Sequence, residues 1–356
     1  MAIQITFYHF LYNLQNKTMT IILDVGAREI KAGLNTEALP SLRFSSYCMK
    51  NESGYTHVKF LNKNQCAYEY ESCLSNRTTN KPCFEAVMDE VMGLFSSKSL
   101  IWVKSNDHTR VMGNEAYEMF YEKYNIQNIY SASSPVLVAL SYNQLNALVI
   151  ESGYTSSRCS VVFSGYGLEH PTTETSVAGD FITKRITERI SSDFSALVPP
   201  LQQNSSSSFR NLEIQQFFEQ LKLAPKSFNG FDIDSYSKNL LFPATPEEDN
   251  IGLDNLTLKT MMKCDYDVIN KVSEKLLFAG GTTLLPGVSE KILDSFTKYF
   301  PTLQPKVIKS DTISSQKYAA WRGGAIIANT EAIAKVFVTK KDYEENGIGI
   351  VDRRCG

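Results

Sequence analysis

The chain has 356 residues, a formal net charge of −2 and 43% hydrophobic residues, which is enough for about two or three domains with their own cores. The near-neutral charge and the lack of any Lys/Arg-rich run exclude a general polyanion binder, so we expect no direct contact with nucleic acid. No apolar run approaches the ~20 residues needed to cross a bilayer, so we expect no membrane span.

The seven cysteines include no Cys-x-x-Cys pair, and an odd number cannot all pair with one another. We interpret them as reduced thiols of a cytosolic or nuclear protein. Residues 1–19 precede the first predicted strand and are either an N-terminal extension or the result of a mis-assigned start before Met19. This segment is not typical of a signal peptide, because polar residues interrupt it and no basic segment comes first.

Strands and helices alternate along the chain, which is typical of an α/β fold. The first hairpin has one strand that ends at Asp24 and a second from Ile30 to Leu34. Residues 45–82 are rich in Ser, Asn and Cys and predict a small, poorly specified appendage. A core helix and a short buried strand follow, and helices are expected over about 114–124 and from about Pro135.

The second half begins with another hairpin and continues into a helix with Ile182, Ile186 and Ile190 on one stripe. A Ser-rich stretch over 198–209 predicts a mobile loop, and a helix over about 212–223 comes next. A later apolar strand runs into Gly280 and Gly281 and then into a helix. A strand, a double glycine and a helix form a turn that suits contact with a nucleotide.

The two hairpins share a pattern in which an apolar strand ends in an acid, any residue and a glycine. It occurs at 24–26 and again at 151–153. The glycine allows close approach of backbone to phosphate, neighbouring amides point at the anion, and the acid can order a metal's water shell. The pair predicts a nucleotide held between two related domains.

These segments together resemble the actin family from about Thr20 to Cys355. The runs that carry the resemblance are 24–33, 151–153, 165–166, 178–179, 280–287, 317–318, 321–325 and 341–355. The resemblance implies an α/β fold of the actin/Hsp70/hexokinase type, with two domains and four subdomains around a nucleotide cleft.

The resemblance also implies where the four subdomains lie. Subdomain 1 takes residues 20–45, 78–141 and 319–356, subdomain 2 takes 46–77, subdomain 3 takes 142–177 and 268–318, and subdomain 4 takes 178–267. Subdomain 2 is shorter than that of actin and lacks the apolar, glycine-rich tip that docks into the next subunit. A filament needs a contact that repeats, so we expect that the chain does not polymerise with itself.

The cofactor that the resemblance implies is ATP or ADP with Mg²⁺. The matching contact positions are Asp24, Gly26, Ala27, Lys31, Ser152, Gly153, Glu219, Gly280, Gly281, Thr282 and Lys317, and Asp24 and Glu151 match the acids that hold the metal through water. Two departures affect the first loop, where Ala27 and Arg28 replace the usual serine and glycine. Arg28 either contacts phosphate, fills part of the cleft or faces solvent on the turn.

Three further departures affect hydrolysis. Tyr154 stands in place of an acid near the metal, Arg158 replaces a histidine near the attacking water, and Ser134 falls at the position of the family's water-orienting glutamine. Serine is too short to place an amide at the terminal phosphate, so positioning and electrostatic stabilisation are lost. We therefore expect no catalytic residues and a pseudo-ATPase in which nucleotide is a static, stabilising ligand.

Within the family, the runs 132–140, 152–154 and 320–326 are most similar to the actin-related protein at the pointed end of dynactin. That similarity implies a cytoplasmic, cytoskeletal subunit that caps a short actin-like filament, contacts its subunits and the other pointed-end proteins, and serves dynein-driven transport. The run 343–347 resembles a nuclear actin-related protein, so a chromatin-remodelling subunit in the nucleus is the alternative. Tyr154 and Ser134 argue against a true kinase or chaperone ATPase.

Overall fold

The computed structural model describes residues 19–59, 67–75, 78–104, 113–194, 227–228, 231–243 and 251–355, with Ser206, Ser208 and Leu212. Residues 1–18 of the predicted extension lie outside this part of the chain. Glu219 also lies outside it. The predicted loop over 198–209 lies outside it except for Ser206 and Ser208, and the predicted helix over 212–223 lies outside it except for Leu212.

The strands, in chain order, are β1 (Thr20–Val25), β2 (Glu29–Leu34), β3 (Leu42–Ser45), β4 (Tyr47–Asn51), β5 (Gly54–His57), β6 (Glu69–Ser72), β7 (Leu74–Ser75), β8 (Thr78–Thr79), β9 (Ser99–Lys104), β10 (Asn128–Ser133), β11 (Ala147–Ser152), β12 (Ser157–Phe163), β13 (Tyr166–Thr175), β14 (Ser227–Phe228), β15 (Phe231–Asp232), β16 (Lys275–Ala279), β17 (Lys306–Val307) and β18 (Val338–Thr339).

The α-helices are α1 (Lys81–Met92), α2 (Gly113–Glu118), α3 (Ser134–Ser141), α4 (Gly179–Phe194), α5 (Ile233–Leu241), α6 (Leu253–Met262), α7 (Tyr266–Val272), α8 (Val288–Tyr299), α9 (Ile313–Lys317), α10 (Ala319–Ala328), α11 (Ile333–Val336), α12 (Lys340–Asn346) and α13 (Gly349–Cys355). A π-helical turn covers Met119–Lys123 and a 3₁₀ turn covers Gly281–Leu284. Within the described residues, every helix is too short or too polar to cross a membrane.

Two large mixed sheets follow the same plan. The first has the strand order β18-β10-β9-β1-β2-β3 and the second has the order β13-β12-β11-β16-β17. In each, a central strand pairs antiparallel with the next strand of its hairpin and parallel with a later strand, as β1 does with β2 and β9 and as β11 does with β12 and β16. The two acids of the hairpin pattern therefore end equivalent strands of two related sheets.

Helices α3 and α10 pack against each other between these sheets. One side of the pair contacts Ile22 and Ile101 of the first sheet, and the other contacts Val149 and Leu277 of the second. A Cβ built on Gly323 of α10 would lie 1.9 Å from the carbonyl oxygen of Leu137, so only glycine permits this approach. The helix pair fixes both sheets to a common support.

The region over 45–82 differs from its prediction as a poorly specified appendage. Strands β4, β5 and β6 form an antiparallel sheet that packs against α1. Cys48 of β4, Cys73 after β6 and Cys83 of α1 are fully buried where this region meets α1. Buried thiols behave as small hydrophobic groups, and the low count of Val, Ile and Leu in this stretch concealed a real core. The boundaries of the four subdomains stay a prediction.

The predicted helices of the first half are found with one change. The helix predicted over 114–124 is α-helical only to Glu118 and then widens into the π-helical turn. Helix α3 starts at Ser134 with Pro135 in its first turn, where a missing N–H leaves no helical hydrogen bond unmade. In the second half, Ile182 and Ile186 are buried as their spacing predicts.

Candidate functional site

The two hairpin loops close with the same backbone hydrogen bond. The Gly26 N–H donates to the Glu29 carbonyl at 3.1 Å, and the Gly153 N–H donates to the Ser156 carbonyl at 3.0 Å. A Cβ on Gly26 would lie 2.9 Å from that Glu29 oxygen, which explains glycine at this position. Because both glycine amides are used in the turns, a phosphate would meet the amides at the loop tips instead.

The acid of the first hairpin is neutralised by a cation on the neighbouring strand. Asp24 lies opposite Lys31 in the ladder, and the Lys31 ammonium lies 2.9 Å from the Asp24 carboxylate. Both side chains are less than one-fifth exposed. The loop itself is fastened to the small sheet, since the Ala27 carbonyl accepts hydrogen bonds from the hydroxyls of Ser46 and Ser72.

The acid of the second hairpin is buried and held by a hydroxyl. The Ser134 Oγ donates to one carboxylate oxygen of Glu151 at 2.5 Å. The other oxygen, Oε2, is buried and has no hydrogen-bond partner within the described part of the chain. Burial raises the pKa of Glu151, although Ser134 and the nearby Arg158 oppose the shift. Arg158 forms an ion pair with Glu174 at 3.2 Å.

The tips of the two hairpins meet through a cation–π contact. The Arg28 guanidinium carbon lies 5.2 Å from the centroid of the Tyr154 ring. Burial raises the pKa of the Tyr154 phenol, so the ring is neutral at physiological pH. The sequence leaves three placements for Arg28, which are contact with phosphate, filling of part of the cleft and exposure to solvent. The contact with Tyr154 is inconsistent with an arginine that faces only solvent. Two of the residues that depart from the family pattern, Arg28 and Tyr154, are therefore in contact with each other.

The glycine turn after β16 supports the second hairpin. Gly280 has φ +86°, and a Cβ there would lie 2.3 Å from the Ser152 carbonyl oxygen, so this glycine is required for packing. Gly281 has space, with no described heavy atom within 4 Å of a built Cβ. The Thr282 hydroxyl donates to the Gly153 carbonyl at 2.7 Å. Of the three, Gly281 is the position with room for a ligand.

Two further predicted contacts have their polar groups engaged within the protein. The Ser152 hydroxyl lies 2.6 Å from the hydroxyl of Ser157 inside the second hairpin. Lys317, predicted beside the base, forms an ion pair with Glu29 at 3.0 Å. Burial lowers the pKa of Lys317, but Glu29 and Tyr318 outweigh it and leave the pKa raised. Sequence reasoning missed Glu29, whose only local signal is an acid beside Arg28.

The structure brings most predicted site residues to one region. Lys31 and Arg28 supply positive charge at the first hairpin, and Gly281 supplies space. The unpartnered Oε2 of Glu151 would suit a metal-bound water. However, Asp24 already has Lys31, and no group of three or more His, Cys, Asp or Glu residues in the described ranges could hold a metal ion. The resemblance implies Mg²⁺ held through water and not by such direct ligands, so this part of the cofactor stays a prediction.

Comparison with known families finds a match over almost the whole chain. The model of the family described as Actin matches residues 15–233 and 228–356. These segments together include both hairpins, both large sheets and the glycine turn. The match agrees with the α/β architecture of two related sheets.

Proposed function

Because the chain belongs to the actin family, we propose that it is a non-catalytic actin-related subunit at the pointed end of dynactin's short actin-like filament. In this role it caps the filament and supports dynein-driven transport on microtubules in the cytoplasm. Its partners are the actin-like filament subunits and the other pointed-end proteins of dynactin. ATP or ADP in the cleft is a static ligand that stabilises the closed form.

The observation that carries the non-catalytic assignment is the hydrogen bond between Ser134 and Glu151. Ser134 occupies the position where the family resemblance implies a water-orienting glutamine, and its hydroxyl is engaged at 2.5 Å with the carboxylate. A short side chain that holds an acid is not placed to orient a water molecule. Tyr154, which lies under Arg28, supplies an aromatic ring where hydrolysis would need a carboxylate.

The filament-end assignment is supported by the small second subdomain. A filament subunit must offer two different faces so that each contact can repeat. Residues 46–77 lack the apolar, glycine-rich tip of the family's docking loop. A subunit that keeps one face and lacks the other would end a filament.

A nuclear chromatin-remodelling subunit is the alternative, and one surface feature favours it. The run 343–347, which resembles a nuclear actin-related protein, forms the end of α12 and the turn after it. Glu344, Glu345 and Asn346 are exposed there. This run is accessible to a partner.

The first test is affinity purification of the tagged protein from its own cells, followed by mass spectrometry. Recovery of dynactin's filament and pointed-end subunits is the expected result. Recovery of a remodelling ATPase with nuclear companions would replace the proposal with its alternative and would leave the fold untouched.

A second test addresses the chemistry. Steady-state ATP hydrolysis by the purified protein should stay at the rate of a buffer control. Turnover comparable with an active ATPase, about 1 s⁻¹ or faster, would contradict the non-catalytic assignment.

A further inference from the structure

We propose that the ion pair between Glu29 and Lys317 is an autoinhibitory latch, which a nucleotide must open before it can contact Lys317. The latch joins the first hairpin to the glycine-turn side of the second half. This inference deepens the proposed function and rests on it, because it takes ATP or ADP to bind between these two parts. It concerns what controls the entry of that nucleotide.

The two residues of the latch belong to different parts of the fold. Glu29 is the first residue of β2, and its carbonyl accepts the Gly26 N–H in the first hairpin. Lys317 is the last residue of α9. The preceding side chain, Gln316, donates from Nε2 to the Thr283 hydroxyl at 3.0 Å, which attaches α9 to the glycine turn. The 3.0 Å ion pair therefore connects the first hairpin with the turn after β16.

A buried aromatic ring holds the latch in position. Tyr318 is only 3% exposed, and its ring centroid lies 5.0 Å from the Lys317 ammonium. On the first sheet, Arg43 of β3 donates to the Tyr318 hydroxyl at 3.4 Å, and β3 pairs with β2. Burial lowers the pKa of Lys317, but Glu29 and Tyr318 raise it more. The ammonium is therefore charged at physiological pH and keeps its attraction to Glu29.

The space for a ligand lies beside this latch. A Cβ built on Gly281 has no described heavy atom within 4 Å, and Gly281 begins the 3₁₀ turn that also contains Thr283. A ligand in this space lies beside α9, which ends at Lys317. An ammonium is a compact charge on a flexible stem, so Lys317 can turn toward a ligand only when it leaves Glu29.

The exposure of the pair sets the strength of the latch. The Lys317 and Glu29 side chains are 34% and 27% exposed, so solvent screens their attraction. Ion pairs of this kind favour the paired state over the open one by about 2- to 5-fold. The apparent affinity of a ligand that binds only the open state falls by the open fraction, which corresponds to about 3- to 6-fold. A nucleotide can therefore open the latch, at a measurable loss of affinity.

The test is the affinity of the nucleotide-stripped, full-length protein for ADP with Mg²⁺, measured by isothermal titration calorimetry. Glu29→Gln removes the charge that holds Lys317 and should lower the Kd by about 3-fold or more. Glu115→Gln is the matched control, because Glu115 of α2 pairs with Lys81 of α1 at 3.2 Å, outside both hairpins and the glycine turn. It should leave the Kd within about 1.5-fold of the wild type.

Two further variants distinguish a latch from simple repulsion between Glu29 and the phosphates. Glu29→Asp keeps the negative charge on a shorter side chain that does not reach Lys317, so it should lower the Kd by about as much as Glu29→Gln. In a Lys317→Ala background the latch is already absent, and Glu29→Gln should then change the Kd by less than about 1.5-fold. Circular dichroism of each variant before titration identifies those that have lost the fold, and Glu29→Asp replaces Glu29→Gln if the latter does not fold.

The outcomes separate the two proposals. Tighter ADP binding in Glu29→Gln and Glu29→Asp that disappears in the Lys317→Ala background supports the latch. If Glu29→Asp binds like the wild type, or if Glu29→Gln has the same effect with and without Lys317, the latch is wrong while static nucleotide binding stands. If neither the wild type nor any variant binds ADP, the latch and the nucleotide part of the proposed function fail together.

Discussion

The two hairpins have the same turn and the same strand pairing, but they control their acids by different means. In the first hairpin a lysine on the partner strand neutralises Asp24 in a partly solvated setting. In the second, Glu151 is buried, is held by the Ser134 hydroxyl and has a raised pKa. A repeated backbone plan therefore does not imply repeated chemistry, because side chains from outside each hairpin set the charge of its acid.

The supports of the two hairpins differ as well. The first rests on the small sheet through Ser46 and Ser72, and the second rests on the glycine turn after β16 and on the start of α4. This difference predicts which substitutions harm which hairpin.

The largest effect is expected for Gly280→Ala. Its Cβ would lie 2.3 Å from the Ser152 carbonyl, and its φ of +86° is unfavourable for alanine, so the free energy of unfolding should fall by about 3 kcal/mol or more. Urea unfolding measures it. Gly281→Ala, with space for its Cβ, is the control and should change the free energy by less than about 1 kcal/mol. Equal losses in both variants would refute the packing argument.

Alanine substitutions at the two hairpin glycines should change the free energy of unfolding by different amounts. Gly26→Ala brings a Cβ to 2.9 Å from the Glu29 carbonyl, and the strain should lower the free energy of unfolding by about 1–3 kcal/mol. Gly153→Ala meets nothing described closer than 3.7 Å and should be neutral or more stable by up to about 1 kcal/mol. Thermal unfolding of the two variants measures this difference. A larger loss of unfolding free energy in Gly153→Ala than in Gly26→Ala would contradict this prediction.

The buried acid makes stability depend on pH. Glu151 has a pKa raised by burial, so the folded state holds a proton that the unfolded state releases above about pH 4.5. Its contribution is complete below that pH and is lost as pH rises through the folded pKa. Glu151→Gln should remove this loss, so it should raise the free energy of unfolding at pH 8 and not at pH 4.

Urea midpoints of the wild type and Glu151→Gln across pH 4–8 measure this linkage. Asp24→Asn is the matched control, because it removes the other hairpin acid and leaves Lys31 without its carboxylate. It should destabilise the protein by about 1–3 kcal/mol at pH 8. A gain from both variants, or from neither, would show that the two acids are equivalent.

The smallest effect is expected for the Lys317–Glu29 ion pair. The two side chains are about one-third exposed, so solvent screens their attraction. A double-mutant cycle with Lys317→Ala and Glu29→Ala should give a coupling of about 0.5–1 kcal/mol that weakens in high salt. A coupling near zero in low salt would show that this ion pair does not stabilise the contact between Lys317 and the first hairpin.

Local pattern was sufficient to predict the parts of the fold that depend on neighbours in sequence. The hairpin at Asp24–Gly26 and the helix with Ile182 and Ile186 follow from alternation, glycine and helical spacing. The small sheet was missed because this stretch has few branched apolar residues and its buried residues include Cys48, Cys73, Met49 and Tyr70. Composition alone does not tell a buried thiol from an exposed one.

The site was predictable in its backbone and not in its side-chain partners. The glycine turns identified where the two loops lie. The contacts Arg28–Tyr154 and Lys317–Glu29 join residues far apart in sequence, and each residue taken alone is an ordinary surface type. Only the fold brings such residues together, so their pairing needed the structure.

The three buried thiols of the small sheet make this protein suitable for following local opening. Cys48, Cys73 and Cys83 are inaccessible to solvent. Burial raises the pKa of Cys73, and the hydrogen bond with Cys48, together with burial, raises the pKa of Cys83. An alkylating reagent can react with them only while the sheet has separated from α1. The rate at which these three thiols are alkylated, followed peptide by peptide with mass spectrometry, therefore reports how often this part of the protein opens.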